Sequence, residues 1–223
     1  MNIKDNLSQI NNLISNACHH ANRPVKQVHL LAVSKTKPSD LIRQAYQAGQ
    51  KQFGENYVQE AIEKIAELQD LDDICWHFIG PIQSNKTRDI ATNFSWVHSV
   101  DRIKIATRLN EQRCSQDTPL NICLQVNISG EASKSGVTIE QLPKLAQYVS
   151  SCEHLILRGV MAIPEKNATK STFDKMFNLY NNLKNQYPTI DTLSMGMSND
   201  LSLAIESGST MVRIGTAIFG ERN

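Results

Sequence analysis

The chain has 223 residues, enough for one α/β domain that buries roughly 70% of its unfolded surface without staples. Its 23 Lys and Arg against 22 Asp and Glu leave a net charge of +1, with no basic block and no interleaved aromatics to support nucleic-acid binding. The five cysteines, Cys18, Cys75, Cys114, Cys123 and Cys152, are scattered and odd in number, which argues against a disulfide framework or a zinc site and fits a reducing cytoplasm.

Met1 to Asn6 carries acid and amides where a signal peptide has an apolar core, and no run reaches membrane-spanning length, so a soluble cytoplasmic protein is expected. From Lys4 to Ala21, Leu7, Ile10, Leu13, Ile14 and Ala17 recur at spacings of three and four, the stripe of an amphipathic helix. Val28 to Val33 is an apolar run of strand length leading into Ser34-Lys35-Thr36-Lys37-Pro38, the pattern of a strand buried on both faces. Asp40 to Gly49 reads as a helix, with Ser39 as cap and Gly49 as stop. The alternation then repeats. Gln52 to Asn56 is a short strand and turn, followed by a helix through Val58, Ala61, Ile62, Ile65 and Leu68. Trp76 to Ile79 is a strand, and a helix opens near Ser84-Asn85. Trp96 to Val100 precedes a helix capped by Asp101. Leu120 to Ile128 is the longest apolar run, and Thr138 to Ser150 a helix. Leu155 to Ile163 is a strand stopped by Pro164, Ser171 to Tyr187 a helix, Thr192 to Met195 a strand, Asp200 to Glu206 a short helix, and Met211 to Ile214 the last strand.

Eight strands, each followed in nearly every case by a helix, predict a single (β/α)₈ TIM-type barrel spanning residues 1–223 as one domain. The competing architecture is an open doubly wound sheet, but no GxGxxG follows the first strand. The chain ends too soon after Ile214 for a full eighth outer helix, so the N-terminal helix is expected to cover that part of the ring.

In such barrels the active site lies at the carboxyl ends of the strands, with phosphate often held after strands seven and eight. Lys35, at the end of the first strand, shares the side-chain parity of Leu31 and Val33, so its amine would leave an apolar face, partly desolvated and able to attack a carbonyl. A solvated lysine opening a loop is the plainer alternative; Lys37, held extended before Pro38, is the weaker candidate. Gly196-Met197-Ser198-Asn199-Asp200 and Gly215-Thr216-Ala217 offer hydroxyls and free amides suited to an anion, through Ser198, Gly215 and Thr216, although Asp200 adds an unfavourable charge. Arg213, between Val212 and Ile214 in a buried strand, needs a partner: a carboxylate inside the barrel, of which Glu55 is one of few, or an acceptor on a ligand. Lysine, phosphate cradle and buried arginine together suit pyridoxal 5′-phosphate (PLP); a Schiff-base aldolase acting on a sugar phosphate would need only the first two. His29 and His77 read as imidazoles satisfied inside the barrel, and Gln83 to Lys86 could line the mouth.

Leu31 to Pro38, Phe53 to Tyr57, Trp76 to Lys86, Leu193 to Ser198 and Val212 to Gly220 resemble the signature segments of the pyridoxal phosphate homeostasis protein family, related to the barrel domain of alanine racemase. The resemblance implies that Lys35 holds PLP as an internal aldimine, that Ser198, Gly215 and Thr216 bind its phosphate, that Arg213 faces the pyridine nitrogen, and that Asn56 and Met161 lie close to the cofactor. An arginine there can only donate, which leaves the ring neutral and a weak electron sink. The implied function is non-enzymatic intracellular PLP homeostasis with indirect effects on amino-acid metabolism, in a monomer that binds no metal and passes PLP to apoenzymes. The alternative is a PLP-dependent amino-acid racemase. Related racemases use a tyrosine from a second domain for which this sequence has no counterpart; Tyr57 is the one nominee, with packing on the second helix as its plainer role.

Overall fold

The computed structural model describes residues 2–131, 135–165 and 167–221. Eight strands, β1 (His29–Val33), β2 (Gln52–Glu55), β3 (Cys75–Phe78), β4 (Trp96–Val100), β5 (Leu120–Gln125), β6 (Leu155–Met161), β7 (Thr192–Ser194) and β8 (Met211–Ile214), pair in sequence order. Every pair is parallel, and β8 returns to β1 through His29↔Met211 and Leu31↔Arg213, so the sheet closes. The expected (β/α)₈ barrel is present.

The helix α1 (Ile3–His20) precedes the first strand, and α2 (Ser39–Gln47), α3 (Val58–Glu67), α4 (Thr87–Asn93), α5 (Ile103–Arg113), α6 (Leu142–Ser150), α7 (Lys170–Lys184), α8 (Leu201–Glu206) and α9 (Thr216–Phe219) follow the strands in turn. In α1, Asn2 Oδ1 accepts from the Lys4 and Asp5 amides, and Ile3, Leu7, Ile10, Ile14, Ala17 and Cys18 are buried. Each large side chain in that stripe contributes about 1.5–3 kcal/mol by leaving water. The stripe packs on α2, α8 and α9, and Asn6 Nδ2 donates to Ile218 O at 2.8 Å. The short α9 leaves a gap in the outer ring, and α1 covers it.

Local departures from the sequence reading have local causes. Ser39 is the first residue of α2 rather than its cap, and its hydroxyl donates to Glu67 Oε2 at 2.5 Å. Asp101 does not cap α5; it pairs with Arg102 at 2.6 Å. The α6 helix begins at Leu142 rather than Thr138, because Pro143 lacks an amide and its ring would strike the carbonyl four residues earlier. β5 stops at Gln125, short of Ile128: Val126 bridges Val137 outside the barrel's strands. All five cysteines are free, and among the described residues no helix is long and apolar enough to cross a membrane.

Candidate functional site

Lys35, Asn56, Met161, Ser198, Arg213, Gly215 and Thr216 all stand at or just beyond strand carboxyl ends, on β1, β2, β6, β7 and β8. β6, β7, β8 and β1 are consecutive in the closed sheet, with β2 next, so these residues share one arc of one mouth.

Lys35 is half-buried in the turn after β1, two residues beyond the last strand position. That turn is clamped on both sides of the lysine. Buried Lys64 Nζ, from α3, donates to Ser34 O at 2.8 Å and to Glu55 Oε1 at 2.8 Å. The Ser34 hydroxyl donates to the same Glu55 oxygen at 2.6 Å, and the Thr36 amide to Glu60 Oε1 at 2.5 Å. Burial raises the Glu55 pKa, opposed by the neighbouring ammonium and by its hydrogen bonds. The sequence reading missed Lys64 and Glu60. Lys64 stands three residues after Ala61, on the core stripe of its helix, and a lysine on such a stripe announces a buried partner.

Arg213 is 5% exposed and, among the described residues, has no carboxylate hydrogen-bonded to it. Its Nη1 donates to Ser194 O at 2.7 Å and Ser194 Oγ at 2.8 Å, and its Nη2 to Ala162 O at 2.9 Å, the residue after Met161. A guanidinium has five N–H donors; among the described residues, the Nε–H and one Nη2–H of Arg213 remain unspent. Burial lowers its pKa to about 10, with Asp200 opposing the shift, so it stays a cation at neutral pH. Glu55, the expected acid nearby, is engaged by Lys64 instead. Asn56 Oδ1 is buried without a hydrogen-bond partner, and the Asn56 backbone is held by Gly80, whose added Cβ would stand 2.1 Å from Asn56 O.

Gly215 opens α9, whose first amides have no intrahelical acceptor. A Cβ on Gly215 would come within 3.0 Å of Val33 O, so this loop lies directly against the end of β1 that leads to Lys35. Thr216, the first residue of α9, and Ser198, in the loop after β7, are both exposed. Asp200 is less unfavourable to an anion than its charge suggests, because its Oδ1 accepts from the Met197 amide at 2.5 Å and closes its own loop.

Other candidates do not join this arc. Lys37 Nζ donates to Glu221 O at 2.5 Å. Tyr57 is 50% exposed, not packed on the helix it precedes. His29 is exposed rather than satisfied inside the barrel, and lines a cavity of about 930 Å³ at the amino-terminal end of the strands. Several charges lining that cavity are paired: Arg158 with Asp191, Lys170 with Asp174, and Arg23 with the Ile205 and Ser209 carbonyls. Lys86, in the Gln83 to Lys86 segment, reaches Gln59 at 3.3 Å. No group of His, Cys, Asp and Glu among the described residues could hold a metal ion.

The alanine racemase N-terminal domain family matches residues 5–223. Over 230 residues the chain is 53% identical to the pyridoxal phosphate homeostasis protein of Haemophilus influenzae, covering 100% of this chain and 97% of that one. The protein of the same name from Pseudomonas aeruginosa is 55% identical over 222 residues, with 99% and 96% covered. The chain belongs to the pyridoxal phosphate homeostasis protein family. PipY of Synechococcus elongatus, solved with PLP bound, is 36% identical with a TM-score of 0.79, covering 98% of this chain and 100% of that one. Alanine racemase from Corynebacterium glutamicum, at 17% identity and a TM-score of 0.68, covers 92% of this chain and 61% of that one, a likeness of fold alone. The five segments that resemble the homeostasis family carry most of the strand-end arc: Met161 is the one candidate outside them.

Proposed function

We propose that this chain binds PLP in the strand-end arc, through an imine to Lys35, and serves intracellular PLP homeostasis without turning over a substrate. The buried Arg213 carries the reading. A cation with two unspent donors and, among the described residues, no carboxylate hydrogen-bonded to it suits a neutral acceptor such as a pyridine nitrogen. Other features fit the same group. Asn56 Oδ1 is a buried acceptor still lacking a donor, and Gly215 keeps the loop against β1 free of a side chain where a phosphate would meet amides. Ser198, Gly215 and Thr216 bind the phosphate, Arg213 faces the ring nitrogen, and Asn56 and Met161 line the ring. Bound PLP supplies an aldehyde and an electron-withdrawing ring; Arg213, unable to accept a proton, keeps that ring neutral and disfavours carbanion formation. The chain acts as a cytoplasmic monomer that releases PLP to apoenzymes, and its influence on amino-acid metabolism is indirect.

An absorbance spectrum with borohydride trapping tests this directly. Lys35→Ala should abolish the imine band and the trapped adduct, whereas Lys37→Ala, altering a side chain directed to Glu221, should retain both. An adduct that survives Lys35→Ala overturns the assignment. Incubation of the loaded protein with L-alanine in deuterated water separates carrier from racemase: rapid α-deuterium incorporation would refute the non-enzymatic role.

A further inference from the structure

The lumen of the barrel holds a polar chain that the cofactor reading does not use. Ser194 Oγ, on β7, accepts from Arg213 Nη1 at 2.8 Å and lies 3.2 Å from His98 Nδ1 on β4. His98 Nε2 lies 2.9 Å from His77 Nδ1 on β3. β4 and β7 are not neighbours in the sheet, so the His98 to Ser194 contact crosses the barrel interior. All four residues are at most 5% exposed.

We propose that His98 and His77 are positioning residues for Arg213, acting through Ser194, and that the arginine sets the direction of every proton in the chain. The inference rests on the reading that Arg213 faces the ring nitrogen of PLP. Both imidazoles are buried and neutral at physiological pH, so each carries one N–H. Arg213 can only donate. If the Ser194 hydroxyl donates its hydrogen bond to His98 Nδ1, then His98 holds its proton on Nε2 and donates to His77 Nδ1, and His77 is left with an Nε2–H. That order leaves one buried group over, and His77 Nε2 is indeed without a partner. The reverse order leaves two: the Ser194 hydroxyl proton would have no acceptor, and His77 Nε2 would be a lone pair with no donor. The chain therefore anchors both hydrogens of Arg213 Nη1 at Ser194 and turns the unspent Nε–H and Nη2–H toward the cofactor.

Two measurements test the chain. Long-range ¹⁵N–¹H NMR on histidine-labelled protein without PLP should find His98 and His77 neutral with the proton on Nε2; a proton on Nδ1 of His98 overturns the proposal. Titration with PLP should show Ser194→Ala holding it about tenfold more weakly, the loss expected for a hydrogen bond to a charged group. Ser194→Thr should restore affinity, with both variants melting as cooperatively as the parent. Unchanged affinity in folded Ser194→Ala also overturns it. Failure of the parent chain to bind PLP would instead sink the cofactor reading, while the histidine tautomers would still decide the proton order.

Discussion

Lys64 touches three acceptors at once, Ser34 O, Glu55 Oε1 and Glu60 Oε1, and with them holds the turn from which Lys35 projects. At 5% exposure its charge is tolerable only because those oxygens replace water. Lys64→Met should therefore destabilise the protein by about 3–5 kcal/mol in urea titrations, because it leaves the Glu55 carboxylate buried and uncompensated. Lys64→Met combined with Glu55→Leu should recover much of that loss, since the pair is removed together; a double variant as unstable as the single would show that packing, not charge, sets the cost. Residue-scale chemistry was legible where one residue type carries the meaning. Lys35 and Arg213 stand out in sequence because a lysine at a strand end and an arginine between Val212 and Ile214 are each costly to place. What Arg213 binds was not legible: its partners, Ser194 and Ala162, are an ordinary serine and a backbone carbonyl brought near by strand pairing.

At the scale of elements, β6 and β7 depend on a glycine. A Cβ on Gly159 would stand 1.7 Å from Thr192 O, the backbone of the paired strand, with no flexible side chain to give way. β7 has only three residues and all of them pair with β6, ending at Met161↔Ser194. Gly159→Ala should force the strands apart at Thr192, lower stability by about 2 kcal/mol or more, and displace Ser194 and the Ala162 carbonyl from Arg213. The expected measurement is a lowered urea midpoint together with weaker PLP retention; normal retention would mean that the displacement stops short of Arg213. Element existence was readable from apolar periodicity, whereas ends were not. Pro143 delays α6, and the Val126 to Val137 bridge ends β5 early, both through contacts that a linear pattern does not encode.

Over the whole molecule, the closed barrel followed from the repeated alternation of strand and helix, and closure is what carries His98 across the lumen to Ser194. The same enclosure fixes the pH dependence of folding. Burial holds the His77 pKa at about 3 and His98 well below its ordinary 6.5. Below pH 6.5 the unfolded chain takes up protons that the folded barrel refuses, so stability rises with pH through this window and is lost as pH falls from 6.5 toward 3. Each buried imidazole steepens the loss by up to about 1.4 kcal/mol per pH unit. Glu55 works in the opposite sense above 4.5, because its raised pKa favours the proton in the folded state and its contribution fades as pH rises. It is one group against two histidines. Exposed Asp70 and Asp73 and half-buried Asp174, with lowered pKa values, contribute stability that is lost only below the ordinary 3.8. Urea midpoints taken between about pH 7 and pH 5 should thus fall with acidity in the parent chain, and His98→Leu should roughly halve the slope, because one proton-refusing site has been removed. A slope unchanged by His98→Leu would mean that the imidazole is reached by solvent, and that the lumen is not the dry enclosure on which the orientation of Arg213 depends.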